Sequence, residues 1–436
     1  MSKKSLAMTA LLVAFSLLFA APLFAAGSGE SGGGAEPESV ELSLSHWFAA
    51  GAPVEAIADG VSQFEADNPN VTVTIEQVPN AQYWQKIPAQ AAAGDLPDAF
   101  QISSIEKYTL TRGNAVADLS QFLENDSEVD WDAFISAARQ AMTVDGVVIG
   151  LPYALSSAAF VYRLDLFEEA GLATPGEDFN WDELVSNGQA LTQRDADGNV
   201  TMWGFDSPGF GCTICGGLPV FILQNGGQVL TDDLSRAAFD SEEAIEAFQF
   251  FYDLVHEYEI MPSPTEAEGL GDLFQAGRTA QFQYGTWRFA NYREATDFDW
   301  DVHALPQNTS HGGYSDVGGA AFGIANNAAY PDLAWELIKD VTQSLGAMAV
   351  AGGGDLPADS QYFDEWLAAP GPPYSRQEFL DWTMEYSRAR PITPGFNQLR
   401  RDWQDEIILA LNGQKTVEEA TADAVRKVNA VLREQQ

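Results

Sequence analysis

The sequence predicts an α/β protein with a mostly parallel sheet flanked by helices, and three observations lead there. Alternating and helical apolar patterns succeed one another from residue 40 onward. Hydrophobic residues make up 46% of the 436-residue chain and charged residues 19%, proportions that sustain a packed core rather than disorder. Length alone allows two or three domains or one large two-lobed body.

Val40-Glu-Leu-Ser-Leu-Ser-His46 alternates apolar and polar groups as a half-buried strand does. Val54 to Phe64 carries apolar groups at helical spacing and stops at Asn68-Pro69-Asn70. Val71 to Val78 alternates again, Tyr83 to Ala93 reads as a helix closed by Gly94, and Asp98 to Ile102 as a short strand. This β-α-β-α-β order implies a parallel arrangement with helices on its faces. Capping pairs mark three later helix starts: Asn180 with Glu183, Asp240 with Glu243, and Thr416 with Glu419. After Asp240, Ile245, Phe248, Tyr252 and Val255 are spaced to bury one face. Asp195-Ala-Asp-Gly-Asn199 has its glycine at the fourth position, not the sixth an EF-hand requires, and reads as a turn between two strands.

Residues 1–26 read as an export signal: Lys3 and Lys4, an apolar run from Met8 to Phe19, then Pro22 and the small residues Ala25, Ala26 and Gly27. Residues 27–39 form an acidic Gly/Ser linker. No cysteine lies near the signal, so a lipidated N-terminal cysteine is excluded. Later runs are too short and polar to span a bilayer. The expected location is therefore periplasmic or extracytoplasmic.

Sixty-three acids face 22 bases, a net charge of −41, and only 7 of the bases are lysine. Without basic runs, nucleic acid and anionic lipid are poor partners. Self-repulsion at this density weakens a compact state at low salt, and external ions relieve it, so the composition also fits a saline medium. Cys212 and Cys215 are the sole cysteines. A local disulfide, a redox pair and half of a zinc site are the competing readings, the first suiting an oxidising compartment best.

The chain has no Gly-x-Ser-x-Gly, no phosphate loop and no His-Glu-x-x-His, and its four histidines form no close pair. Neither a catalytic group nor a cofactor or metal is expected. What stands out is aromatic supply: 11 Trp, 13 Tyr and 26 Phe. Rings cover the C–H faces of a pyranose while carboxylates, amides and main-chain groups take its hydroxyls. The same residues would serve a glycosidase, which needs two carboxylates about a bond.

Several ordered segments then resemble the extracellular solute-binding proteins of ABC sugar importers, the family of maltose-binding protein. They are Leu151-Pro-Tyr153 followed by Phe160 to Leu172, Asn180-Trp-Asp-Glu-Leu184, Phe274-Gln-Ala-Gly-Arg-Thr-Ala280 with Tyr284-Gly-Thr-Trp287, and the final helix region with Asn412-Gly413 and Thr416 to Ala420. Gln281 stands where the family has Met, and Arg163-Leu164 where it has Asn-Lys. The Cys212 loop is not a common family feature.

The resemblance implies a two-lobed periplasmic-binding-protein fold with mixed parallel sheets and three interlobe crossovers, near Ala154–Ser157, Asp316–Ala320 and Ala351–Pro357. The N-terminal lobe would comprise 40–154 plus 318–352, and the C-terminal lobe 155–317 plus 353–436. It implies a monomeric receptor, not an enzyme, that captures a mono- or oligosaccharide, neutral on the leading reading, and delivers it to membrane permease subunits. The alternative is a receptor for a polyamine, a peptide or a sugar phosphate: a cation would want aromatic and acidic walls, and a phosphate clustered arginines, for which Arg288, Arg293, Arg390 and Arg401 are available. The implied ligand residues are Trp47, Tyr83, Ser103 and Ser104 at strand ends, Tyr284 and the stacking Trp287, Gly318, Gly319, Gly353 and Gly354 for main-chain approach, and Asp355 and Arg390 as hydroxyl partners.

Overall fold

The computed structural model describes residues 39–208, 216–308, 315–352 and 354–435. The export signal, nearly all of the linker, Cys212, Cys215 and Gly353 lie outside them.

The opening β-α-β-α-β order forms as the pattern dictates. Strand Val40–His46 pairs in parallel with Val71–Gln77 on one side and with Ala99–Ser103 on the other. Helices Ala52–Asp67 and Asn80–Ala93 connect them, the second ending on Gly94 in the left-handed conformation, which a glycine adopts without Cβ strain.

The strand Leu151–Arg163 organises the rest. Its first half pairs antiparallel with Ser315–Ile324, Ser157 opposite Val317 and Leu151 opposite Phe322. Its second half pairs with Gln281–Gly285 and with Trp300–His303. Leu356–Pro357 adds to it beside Leu155 and Ala154. The three segments expected to cross between lobes thus run side by side. Strand Ser315–Ile324 continues the sheet to Ala99–Ser103, where Ala320 faces Ser103.

One apolar core lies around Val40, Phe64, Phe322 and Trp335. A second packs Phe160, Phe221, Phe248 and Trp403 among the later helices. A third, smaller one gathers Tyr83, Phe100, Ile102 and Leu110, with Trp47 and Trp84 partly buried against it.

Local rules account for most elements and miss at two points. Asn180 caps its helix by accepting from the Glu183 amide, and Thr416 and Glu419 form a reciprocal capping box. Asp195 and Asn199 close a turn between Gln193–Arg194 and Val200–Met202, as expected. The helix expected from Asp240 is instead capped by Ser241, whose hydroxyl accepts from the Ala244 amide, while Asp240 reaches back to Arg236. Helix Glu242–His256 consequently buries Ala244, Ala247, Phe248, Phe251, Leu254 and Val255, leaving Ile245 and Tyr252 on the flank. The stripe is centred on smaller residues than spacing of the large ones suggests.

Helix Ala52–Asp67 lies directly on helix Pro331–Gly352 at Gly60. A Cβ there would stand 2.7 Å from Val341 Cα and 2.8 Å from the Asp340 carbonyl. Both are main-chain atoms of a long helix and cannot rotate away. Gly60→Ala should therefore destabilise the protein by about 1–3 kcal/mol, read as a lower urea midpoint. An unchanged midpoint would contradict this packing.

Candidate functional site

Two aromatic groups flank the junction where the three crossing segments meet. The first grows from the end of strand Val40–His46. The Trp47 amide donates to Gln101 Oε1 at 2.9 Å, and Gln101 Nε2 donates to the Tyr153 hydroxyl at 2.6 Å. The half-buried Trp47 ring lies 5.4 Å from Tyr83, 5.0 Å from Trp84 and 6.0 Å from Phe48. Tyr83 itself is fully buried, and its hydroxyl donates to the Gln101 carbonyl at 2.7 Å. It backs Trp47 edge-on rather than facing outward.

The second group is Tyr284-Gly-Thr-Trp287. The Trp287 ring packs directly against Gly285: a Cβ at that position would come within 1.9 Å of a ring carbon. Only glycine allows that seat. Tyr284 meets the ring at 5.4 Å, edge to face, and both remain half-buried. Among the described residues no ring contact joins this group to that of Trp47.

Between them the crossing segments are tied by hydroxyls. The Gly319 amide donates to Ser104 Oγ at 3.2 Å, and Ser103 Oγ accepts from the Ile105 amide. Gly318 and Gly319 pair in the ladder with Ser156 and Leu155. Asp355 accepts from Ser156 Oγ at 2.6 Å and from the Thr286 hydroxyl, whose oxygen in turn accepts from the Ser157 amide. One carboxylate thus joins the strand Leu151–Arg163, the turn that carries Trp287, and the segment leading out of helix Pro331–Gly352. The Gly354 amide is taken by the Ala349 carbonyl. Arg390 lies apart: its amide donates to the Val317 carbonyl, and its buried guanidinium sits 5.9 Å from the Phe396 ring. Of the expected residues, the structure brings together Ser104 with Gly319 and Tyr284 with Trp287, and ties Asp355 to the Trp287 turn through Thr286.

Residues that sequence reading passed over complete the picture. Gln101, Tyr153, Ser156 and Thr286 hold the frame. Glu106, next to the Ser103-Ser104 strand end, accepts from Asn397 Nδ2 on helix Phe396–Leu411. The pairing links the third core to the second. Arg400 lies one turn further along that helix, near Glu106 and Tyr284. Helical spacing could have placed Asn397 and Arg400 on one face, but nothing local says what that face meets.

Electrostatics set the charge states. Burial lowers the His46 imidazole to about 4, so it is neutral at pH 7. Among the described residues, no cluster of His, Asp and Glu could hold a metal ion. Burial pushes the Asp206 carboxyl, behind Tyr284, up to about 8, leaving it protonated at pH 7. A separate surface hollow of about 470 Å³, lined by Trp203, His256, Glu259 and Asn412, shares no residue with either aromatic group.

Burial also raises Asp355 from 3.8 to about 6, against the opposing hydrogen bonds from Ser156 and Thr286. The folded state then holds a proton between about pH 4 and 6 that the unfolded chain has released, so this group's contribution falls as pH rises through that window. Asp355→Asn should flatten the stability profile there, measured as urea midpoints from pH 4 to 7. A profile parallel to the parent's would contradict the assignment.

The bacterial extracellular solute-binding protein family matches residues 48–370. The lactose-binding protein of Rhizobium radiobacter is 22% identical over 299 residues, covering 66% of this chain and 67% of its own. A binding protein of Brucella abortus is also 22% identical, covering 85% and 88%. An ABC substrate-binding protein of Listeria monocytogenes, solved in complex with cycloalternan, superposes with a TM-score of 0.81 at 24% identity over 91% of this chain and all of that one. The fold is accordingly the two-lobed one of periplasmic binding proteins. The chain belongs to the bacterial extracellular solute-binding protein family.

Proposed function

We propose that this protein is the extracytoplasmic receptor of an ABC importer, that it captures a saccharide in the cleft between its lobes, and that it presents the cargo to membrane permease subunits unchanged. Residues 1–26 direct export, and 27–39 link that leader to the receptor. The lobes are 40–154 with 318–352, and 155–317 with 353–436, acting as a monomer.

The observation that carries the reading is the Trp287 ring seated on Gly285 and braced by Tyr284, a flat apolar platform of the kind that stacks on a pyranose face. It sits on a turn bonded through Thr286 to Asp355 at the crossing strands. A ligand on Trp287 therefore acts on the joint about which the lobes move. On the other wall Trp47 offers a second face, with Ser103, Ser104 and the glycine segments at 318–319 and 353–354 as the candidate hydroxyl partners. Asp355 is a further candidate, and Arg390, which lies apart, would join only on closure. The lactose- and cycloalternan-binding relatives support a saccharide over other solutes.

A thermal-shift screen over mono- and oligosaccharides, followed by calorimetry on each hit, tests this. The protein should be stabilised by a saccharide that is recovered intact. Trp287→Ala should cost about 2 kcal/mol of binding, near 30-fold in Kd. A saccharide cleaved on incubation, or an affinity indifferent to Trp287→Ala, would overturn the reading.

A further inference from the structure

Arginines are the scarce resource of this cleft, and most are spoken for. Arg288 donates to Asp272 Oδ2 at 2.8 Å and to Gln275 Oε1 at 2.8 Å. Arg293 donates to the Pro372 carbonyl at 3.1 Å, and Arg401 to Gln398 on its own helix. Arg400 differs. It is partly buried on helix Phe396–Leu411, and its Nε is sealed from water without a hydrogen-bond partner. Its charged surroundings are Glu106, on the Ser103-Ser104 side, and the neighbouring Arg401, with the Tyr284 hydroxyl on the Trp287 side. Glu106 is engaged by Asn397 and makes no ion pair with Arg400 among the described residues. The other acids near Tyr284 are no help: Asp272 is committed to Arg288 and to the Tyr292 hydroxyl, and Asp206 is protonated. Burial accordingly lowers the guanidinium's proton affinity, and Arg401 adds to that.

We propose that Arg400 determines the specificity of the cleft, and that the saccharide it selects carries an oxyanion, a carboxylate or a sulfate ester, on the sugar that reaches the Trp287 platform. The proposal rests on the saccharide reading above and names the class of sugar. Glu106 offsets part of the charge, but the buried Nε has no hydrogen-bond partner, so a ligand that completes the guanidinium fork's bonding gains more than one making a new exposed contact. Two oxygens of a carboxylate or of a sulfate ester meet that fork with paired charge-assisted bonds; a neutral hydroxyl offers one bond and no charge. A phosphate dianion is less suited, because one free arginine beside Glu106 is not the cluster such a charge requires. The choice also departs from a wholly neutral ligand, the expectation that scarce lysine encourages.

Calorimetry on the mature protein decides it, using uronic-acid oligomers, sulfated oligosaccharides and neutral oligomers matched in length. One acidic class should bind about 10-fold or more tightly than its neutral match, at moderate salt. Arg400→Gln should abolish that preference, so that the acidic oligomer binds no more tightly than its neutral match, and Arg400→Lys should restore part of it. Trp287→Ala should weaken both classes alike. If neutral oligomers bind as well as both acidic classes, or the preference survives Arg400→Gln, the inference is overturned and the saccharide reading stands. If no saccharide of any class binds, both are overturned.

Discussion

All residues of the strand Leu151–Arg163 but the last are buried, and it hydrogen-bonds to neighbours along both edges. A strand so enclosed has to find a partner for every main-chain donor and acceptor, since water cannot serve them. The requirement draws Ser315–Ile324, Leu356–Pro357, Gln281–Gly285 and Trp300–His303 onto one element. Its middle, Ala154 to Ala159, is made of small residues apart from Leu155, so neighbouring segments approach closely. Where ladder partners change from one side to the other, Ser156, Ser157, Thr286 and Asp355 substitute side-chain bonds for main-chain ones. The seat of Trp287 against Gly285 and the ladder pairing of Gly318 and Gly319 follow from that junction.

Charge is handled in the same economical way. The excess of acid leaves few cations, and the described structure spends several on buried joints. Glu406 is held by Lys427 at 2.7 Å and by Lys415, which also takes Asp423 at 2.7 Å, fastening helix Phe396–Leu411 to Val417–Arg433. Lys339 gathers Asp126, Glu128 and Glu336 on helix Pro331–Gly352. Breaking one partner of such a buried group costs more than the pair contributes, because a charge is left stranded. Arg400, by contrast, has a buried Nε with no hydrogen-bond partner. The acid-sugar reading draws on the helix Phe396–Leu411 that Lys415 and Lys427 fasten.

Much of this was legible in the residues, to the extent that local chemistry decides. The first five elements follow from period two and period three-and-a-half patterns, and Thr416 with Glu419 or Asn180 with the Glu183 amide from capping stereochemistry. Ser241 displaced Asp240 because two adjacent caps compete and Arg236 takes the acid. Tyr83 follows a strand as a ligand residue would, yet its hydroxyl finds the Gln101 carbonyl, a contact between segments that no local pattern encodes. Gln281 departs from the family's methionine and is fully buried; its amide instead donates to the Gly204 carbonyl at 2.9 Å. Arg400 was the hardest to see. A helix tells which residues share a face, and only the fold tells that this face meets Glu106 and Tyr284.

A receptor of this kind should close its lobes over a saccharide without changing it. Small-angle scattering of the mature protein with a saturating saccharide, coupled to analysis of the recovered sugar, tests that directly. The account predicts a smaller radius of gyration in the presence of the sugar, reversed on its removal, with the sugar intact. A radius unchanged at saturation, or a sugar recovered as cleavage products, would contradict it.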